Sequence, residues 1–216
     1  MMPLPDRHLD LGCGKLPRNP YQRGQLCGVD IRALDAPPDF EYRTANLAIE
    51  PIPFSDGEFG SVSAFDFIEH IPRILPDPAQ PGTCFPFIRL MNEVWRVLAP
   101  GGRFYALTPA YPHIEAFTDP THVNIITATT HEYFCGDEPL GRMYGFTGSF
   151  RALDVRWTLR GDAYSAIRGS SENYSATKRM ARKLRSLSRR LRGKQATAKP
   201  PYLLWELEAN KPGETD

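Results

Sequence analysis

Five residues, Arg7 to Leu11 (RHLDL), form a short strand pattern that runs without a break into Gly12-Cys13-Gly14. A second strand pattern, Leu26 to Ile31, follows after only eleven residues. Pro17 and Pro20 lie in that gap, so a regular helix there has little support. Further strands are predicted at Phe40–Thr44, at Gly60–Phe65 after the Asp56-Gly57 turn, and at Arg103–Thr108. Phe87 to Leu98 has helical periodicity, with Phe87, Met91, Val94 and Leu98 on one face and Pro100-Gly101-Gly102 as the stop. Phe150–Leu159 and Tyr202–Ala209 complete the pattern as two closing strands, and His131–Cys135 is expected to be helical. Such alternation predicts an α/β fold, Rossmann-like, with a mostly parallel sheet covered on both faces. Apolar residues make up 41% of the 216, enough for the core of one domain spanning residues 1–216.

A glycine turn after a strand lets backbone approach a ligand without side-chain obstruction. Asp30 stands sixteen residues after Gly14 at the end of the second strand, where a carboxylate can accept from both ribose hydroxyls of an adenosine cofactor. A dinucleotide fingerprint would need glycine at position 17, and Pro17 stands there, which disfavours nicotinamide cofactors. The four cysteines, at 13, 27, 84 and 135, show no C-x-x-C spacing and give no support for a zinc site or a disulfide framework. No metal site is expected from them.

Several blocks together resemble the class I S-adenosyl-L-methionine (SAM)-dependent methyltransferases of the type 11 domain family. They are His8–Gly14 (HLDLGCG), Pro53–Phe59 (PFSDGEF) with Phe65–Ile71 (FDFIEHI), and Glu93–Gly102 (EVWRVLAPGG), covering about residues 7–112. The resemblance implies a seven-stranded sheet with the last strand antiparallel. It also implies that Asp10, Gly12, Cys13 and Gly14 shape the loop around the methionine part of SAM, and that Asp30 binds the ribose. Ile31 would pack on the adenine, Asn46 and Leu47 would meet the adenine edge, and Phe65 and Asp66 would line the methionine side. Two departures stand out. The family's third glycine is Leu16, and the N-terminal helices are reduced, leaving insertions at 72–86 and 109–146 to build the substrate side.

Methyl transfer to an alcohol needs a base, whereas an amine needs only its lone pair. His70 after the fourth strand, and His122 with Asp119 after the fifth, fall on the rim where α/β sheets bind ligands. These three are the candidate catalytic residues. Glu115, Asp119 and His122 form an oxygen-rich alternative that could hold a divalent metal.

Residues 178–199 carry ten Lys and Arg and no acid, within a basic helical insertion predicted at about 172–196. Met180, Leu184, Leu187 and Leu191 fall on one helical stripe. That pattern suits either packing on the domain or, through residues 178–194, an anionic membrane surface. The expected activity is O-methylation of a small molecule, sugar or glycan by a cytoplasmic protein, peripheral on the inner membrane face if the arm docks there. RNA methylation through the basic arm is the alternative, with nucleic acid the lesser partner, and a cofactor-binding adaptor with a vestigial site is the non-enzyme alternative.

Overall fold

The computed structural model describes residues 3–34, 38–77, 82–163 and 200–211. The basic insertion therefore lies outside the described residues. The strands are β1 (Arg7–Leu11), β2 (Gln25–Asp30), β3 (Glu41–Thr44), β4 (Phe59–Phe65), β5 (Leu75–Pro76), β6 (Thr83–Cys84), β7 (Leu98–Pro109), β8 (Phe150–Thr158) and β9 (Tyr202–Ala209). Seven of them form one sheet in the order β3-β2-β1-β4-β7-β9-β8. The first five in that order are mutually parallel, and β9 runs antiparallel to both β7 and β8. This is the predicted Rossmann-like arrangement.

Two local expectations change. Pro100-Gly101-Gly102 does not separate helix from strand, because β7 already begins at Leu98 and carries the turn inside it. Gly101 takes φ +75°, and the β4/β7 register shifts between Phe59 and Ser61 opposite it. A glycine at positive φ produces such a bulge without strain. The five prolines between 72 and 86 predict an irregular surface loop, yet β5 and β6 pair Leu75 with Cys84 and Pro76 with Thr83 there.

The two faces of the sheet are covered by different means. Helix α1 (Pro86–Val97) begins with a proline, whose missing N–H costs nothing at that position. It buries Phe87, Leu90, Met91, Val94 and Val97 against Leu9, Leu11, Val62, Phe104 and Trp205. Each such side chain contributes about 1.5–3 kcal/mol by leaving water. On the opposite face no helix follows β1. The chain runs flat across the sheet through Pro17 and Pro20. Tyr21 donates to Glu206 at 2.9 Å and meets Tyr105 edge-on at 6.2 Å. The Arg18 guanidinium lies over the Phe65 ring at 4.9 Å.

Beneath that loop lies a buried polar chain. Ser61 Oγ and Ser63 Oγ each lie 2.8 Å from a ring nitrogen of His8, and Ser63 donates to Asp10 Oδ1 at 2.6 Å. Asp10 Oδ2 accepts the Arg18 N–H at 2.8 Å, so β1 itself ties down the loop that replaces a helix. Burial pushes the Asp10 carboxyl up to about 7 and the His8 imidazole down to about 3.

After β7 come two short helices, α2 (Glu115–Thr118) and α3 (Arg160–Ala163), and 3-10 turns at Thr130–Phe134 and Leu140–Tyr144. Among the described residues no helix is long and apolar enough to cross a membrane.

Candidate active site

The carboxyl ends of β1, β2 and β4 open into a cavity of about 370 Å³, lined by Gly12, Asp30, Ile31, Asn46, Leu47, Asp66, Phe67 and His70 among others. That is the end of a parallel sheet where ligands bind. Gly12 has φ +63°, and a Cβ added to it would lie 2.4 Å from Phe67 Cδ2. The bare glycine thus lets the Phe67 ring close against the turn.

Asp30 is 5% exposed. Its Oδ2 accepts the Gly14 N–H at 2.9 Å and its Oδ1 the Arg32 N–H at 3.1 Å. The Arg32 guanidinium, itself largely exposed, adds contacts at 2.9 and 3.2 Å. Burial alone would raise the carboxyl's pKa. The hydrogen bonds and charge of Arg32, with the Gly14 amide, outweigh it and hold the group below its ordinary value. Asp30 is therefore an anion fixed at the cavity wall. Asn46 caps the next turn, its Oδ1 accepting from Ala48 N–H at 3.1 Å, while Ile31 exposes its side chain at the rim.

Asp10, Cys13 and Gly14, expected to shape the loop, and Phe65, expected to line the methionine side, are not among the residues that line this cavity. Asp10 faces the opposite side of β1, where Ser63 and the Arg18 amide engage its carboxylate. Cys13 turns its thiol inward toward Gly28, and Gly14 contributes its amide to Asp30. Phe65 shares a face with Ser63 and packs with Leu107 and Leu204, because side chains alternate along β4. These residues shape the turn from behind. Asp66, by contrast, takes φ +48° just past β4 and meets Arg160 at 2.9 Å.

The acceptor-side candidates come together across 52 residues of sequence. The backbone carbonyl of Glu69 accepts from Val123 N–H at 3.0 Å and Asn124 N–H at 2.9 Å, and Asn124 Nδ2 donates to Ile68 O at 3.0 Å. This latch brings the His122 ring edge-on to His70, with centroids 4.8 Å apart. Thr121 Oγ1 donates to Asp119 Oδ1 at 2.6 Å and so accepts from His70 Nδ1 at 2.9 Å. His122 Nδ1 points to Ala116 O at 3.3 Å, and a carbonyl can only accept. Both rings therefore carry a proton on Nδ1, and in its neutral form each leaves its lone pair on Nε2. Glu69, buried beside them, accepts from Thr108 Oγ1 at 2.9 Å through Oε2. Burial pushes its carboxyl up to about 8.

Sequence reasoning named His70, His122 and Asp119 but passed over Glu69, although it stands inside the quoted Phe65–Ile71 block. It also passed over Arg32 and Thr121, whose roles depend on contacts that spacing does not reveal. The alternative metal set of Glu115, Asp119 and His122 is not the group that forms. Among the described residues, the His/carboxylate cluster is Glu69, His70 and His122.

No protein-family model matches the sequence, and neither does any curated protein. Solved structures do match. A SAM-dependent methyltransferase from Archaeoglobus fulgidus aligns at TM-score 0.53 and 15% identity, covering 94% of this chain and 85% of that one. A chain of the complex between the Haloferax volcanii Trm112 methyltransferase activator and a methyltransferase aligns at TM-score 0.52 and 15% identity, covering 97% and 86%. Sheet order and structural likeness together show that this chain has the Rossmann-like methyltransferase fold.

Proposed function

We propose that the protein is a SAM-dependent methyltransferase acting on a hydroxyl of a small molecule, sugar or glycan. The observation that carries this is the anionic Asp30 at the wall of a 370 Å³ cavity in this fold. The residues fit the cofactor. Asp30 suits two ribose hydroxyls, Ile31 and Leu47 supply apolar surface for a purine, and Asn46 offers an amide at its edge. SAM when bound supplies a methyl group on a sulfonium, and catalysis then depends on alignment and on exclusion of water.

The chain's own part is to hold both reactants and receive the hydroxyl proton. His70 lines the cavity, and its relay through Thr121 to Asp119 places a proton on Nδ1, so that Nε2 of the neutral ring is the atom left to take the hydroxyl proton. A second cavity of about 410 Å³ opens along the same segment at Arg73 and Ile74, walled by Phe85, Phe87, Tyr133 and Phe134. Such a lining suits the apolar body of an acceptor that carries the hydroxyl.

Calorimetry tests the cofactor assignment. SAM should bind one per chain. Asp30→Ala should weaken it on the order of tenfold or more, since a hydrogen bond to a charged group is worth about 1.5–3 kcal/mol. Absence of binding to the wild type, or unchanged affinity in the variant, would overturn it.

A further inference from the structure

We propose that Glu69, His70 and His122 form a site for a divalent transition-metal ion at the acceptor edge of the cavity. One ligand atom from each lies within 4.8 Å of the other two. Two atoms bound on opposite sides of one ion at about 2.1 Å stand about 4.2 Å apart, so small side-chain rotations bring all three into coordination.

The surroundings are those of ligands already oriented. Ligating imidazoles almost always give their second N–H to an acceptor, which fixes the ring and the tautomer. Here His70 gives its Nδ1–H to Thr121, backed by Asp119, and His122 gives its own to the Ala116 carbonyl. In its neutral form each ring then has Nε2 as the lone pair left for an ion. Glu69 provides the independent sign. It is 1% exposed, Thr108 satisfies its Oε2, and its Oε1 is buried with no hydrogen-bond partner. An orphaned carboxylate oxygen in a dry site is costly unless a cation or proton meets it. Two imidazoles and one carboxylate suit manganese, iron, cobalt or zinc better than magnesium or calcium, which favour all-oxygen sites.

The ion's task rests on the methyltransferase proposal. With the ion bound, His70 and His122 would hold it and would no longer take the proton. The ion would lower the pKa of a coordinated acceptor hydroxyl, whose proton would pass to solvent water, leaving an alkoxide to attack the methyl group. Binding of the ion does not depend on that proposal, and the two can fail separately.

Equilibrium dialysis of the purified chain against manganous or cobaltous chloride, without SAM, tests the site. The wild type should take up one ion per chain, with the visible absorption of protein-bound cobalt. His70→Ala/His122→Ala should take up none while keeping its circular dichroism. Thr121→Ala, which leaves all three ligands in place, should weaken uptake about 10–100-fold. Glu69→Gln should also lose the ion, and if it fails to fold, the histidine and threonine variants decide. Absence of stoichiometric uptake by the wild type, or equal uptake by the double-histidine variant, overturns the site. SAM binding without metal uptake would leave the transferase proposal standing alone, and metal uptake without SAM binding would leave only the metal site.

Discussion

Gly12→Ala perturbs the turn after β1 in two separable ways. The residue sits at φ +63°, where an L side chain costs about 1–2 kcal/mol. Its new Cβ would also lie 2.4 Å from Phe67 Cδ2, so the ring must move, at about 1–3 kcal/mol by analogy with overpacked cores. Together these predict a loss of about 2–5 kcal/mol. Gly14→Ala is the control. Its φ is +59°, but the nearest atom to the added Cβ is the exposed tip of Arg32 at 3.5 Å, so only the backbone cost of about 1–2 kcal/mol remains. Urea unfolding with an unchanged m-value measures both. The double variant Gly12→Ala/Phe67→Ala should recover about 1–3 kcal/mol relative to the sum of the singles, because the clash has gone. Since Phe67 lines the cavity, a displaced ring should also lower SAM affinity. A Gly12→Ala cost no greater than that of Gly14→Ala, or no recovery on removing the Phe67 ring, would refute the clash.

Arg32→Ala should leave SAM affinity unchanged or improved, since it frees Asp30 for the ribose, and should cost at most about 1 kcal/mol at neutral pH because the guanidinium is exposed. Asp30 has a depressed pKa, so the stability it gains from Arg32 is present above its unfolded pKa and is lost as pH falls through the folded value. Urea midpoints of variant and wild type should therefore converge in acid. His8 behaves oppositely to Asp10. Between about pH 6.5 and 3 the unfolded chain binds a proton at His8 that the folded chain refuses, so this residue destabilises the fold as pH drops. The raised pKa of Asp10 favours the fold over a similar range, from about pH 7 down to its unfolded value. His8→Gln should thus gain on the wild type with acidification, by up to about 1.4 kcal/mol per pH unit, and parallel pH profiles would contradict this. For residues 178–194, co-sedimentation should show binding to anionic but not neutral vesicles, lost at high salt and in Leu184→Ser/Leu187→Ser. Equal sedimentation with both lipids would end that idea.

The central strands were legible because β1, β2 and β4 are short, largely apolar runs between turn residues, and Arg7–Leu11 and Tyr202–Ala209 match to the residue. Pro17 and Pro20 also announced the missing first helix, though not that Tyr21 and Arg18 would cover the exposed face. In the site, Gly12 and Asp30 could be read because strand-end geometry alone places them. Phe65 could not, since its neighbour Asp66 turns to the cavity while alternation sends Phe65 to the other face. Glu69 escaped for a different reason. Its meaning comes from His122, which a latch of backbone hydrogen bonds delivers from another loop, and no local pattern records that meeting.

The position of β9 bears on how the chain is made. It enters the sheet between β7 and β8, pairing Glu208 with Arg103 and with Arg151, although β7 is synthesised about a hundred residues earlier. Among the described strands β8 has no other ladder partner. While the ribosome is still adding residues before Tyr202, β7 presents an open edge, β8 lacks its ladder partner, and the pocket for Trp205 stands unfilled. Such edges recruit other chains. The nascent protein should depend on holding factors until β9 emerges, and the half of the sheet carrying Gly12 and Asp30 can form before that point.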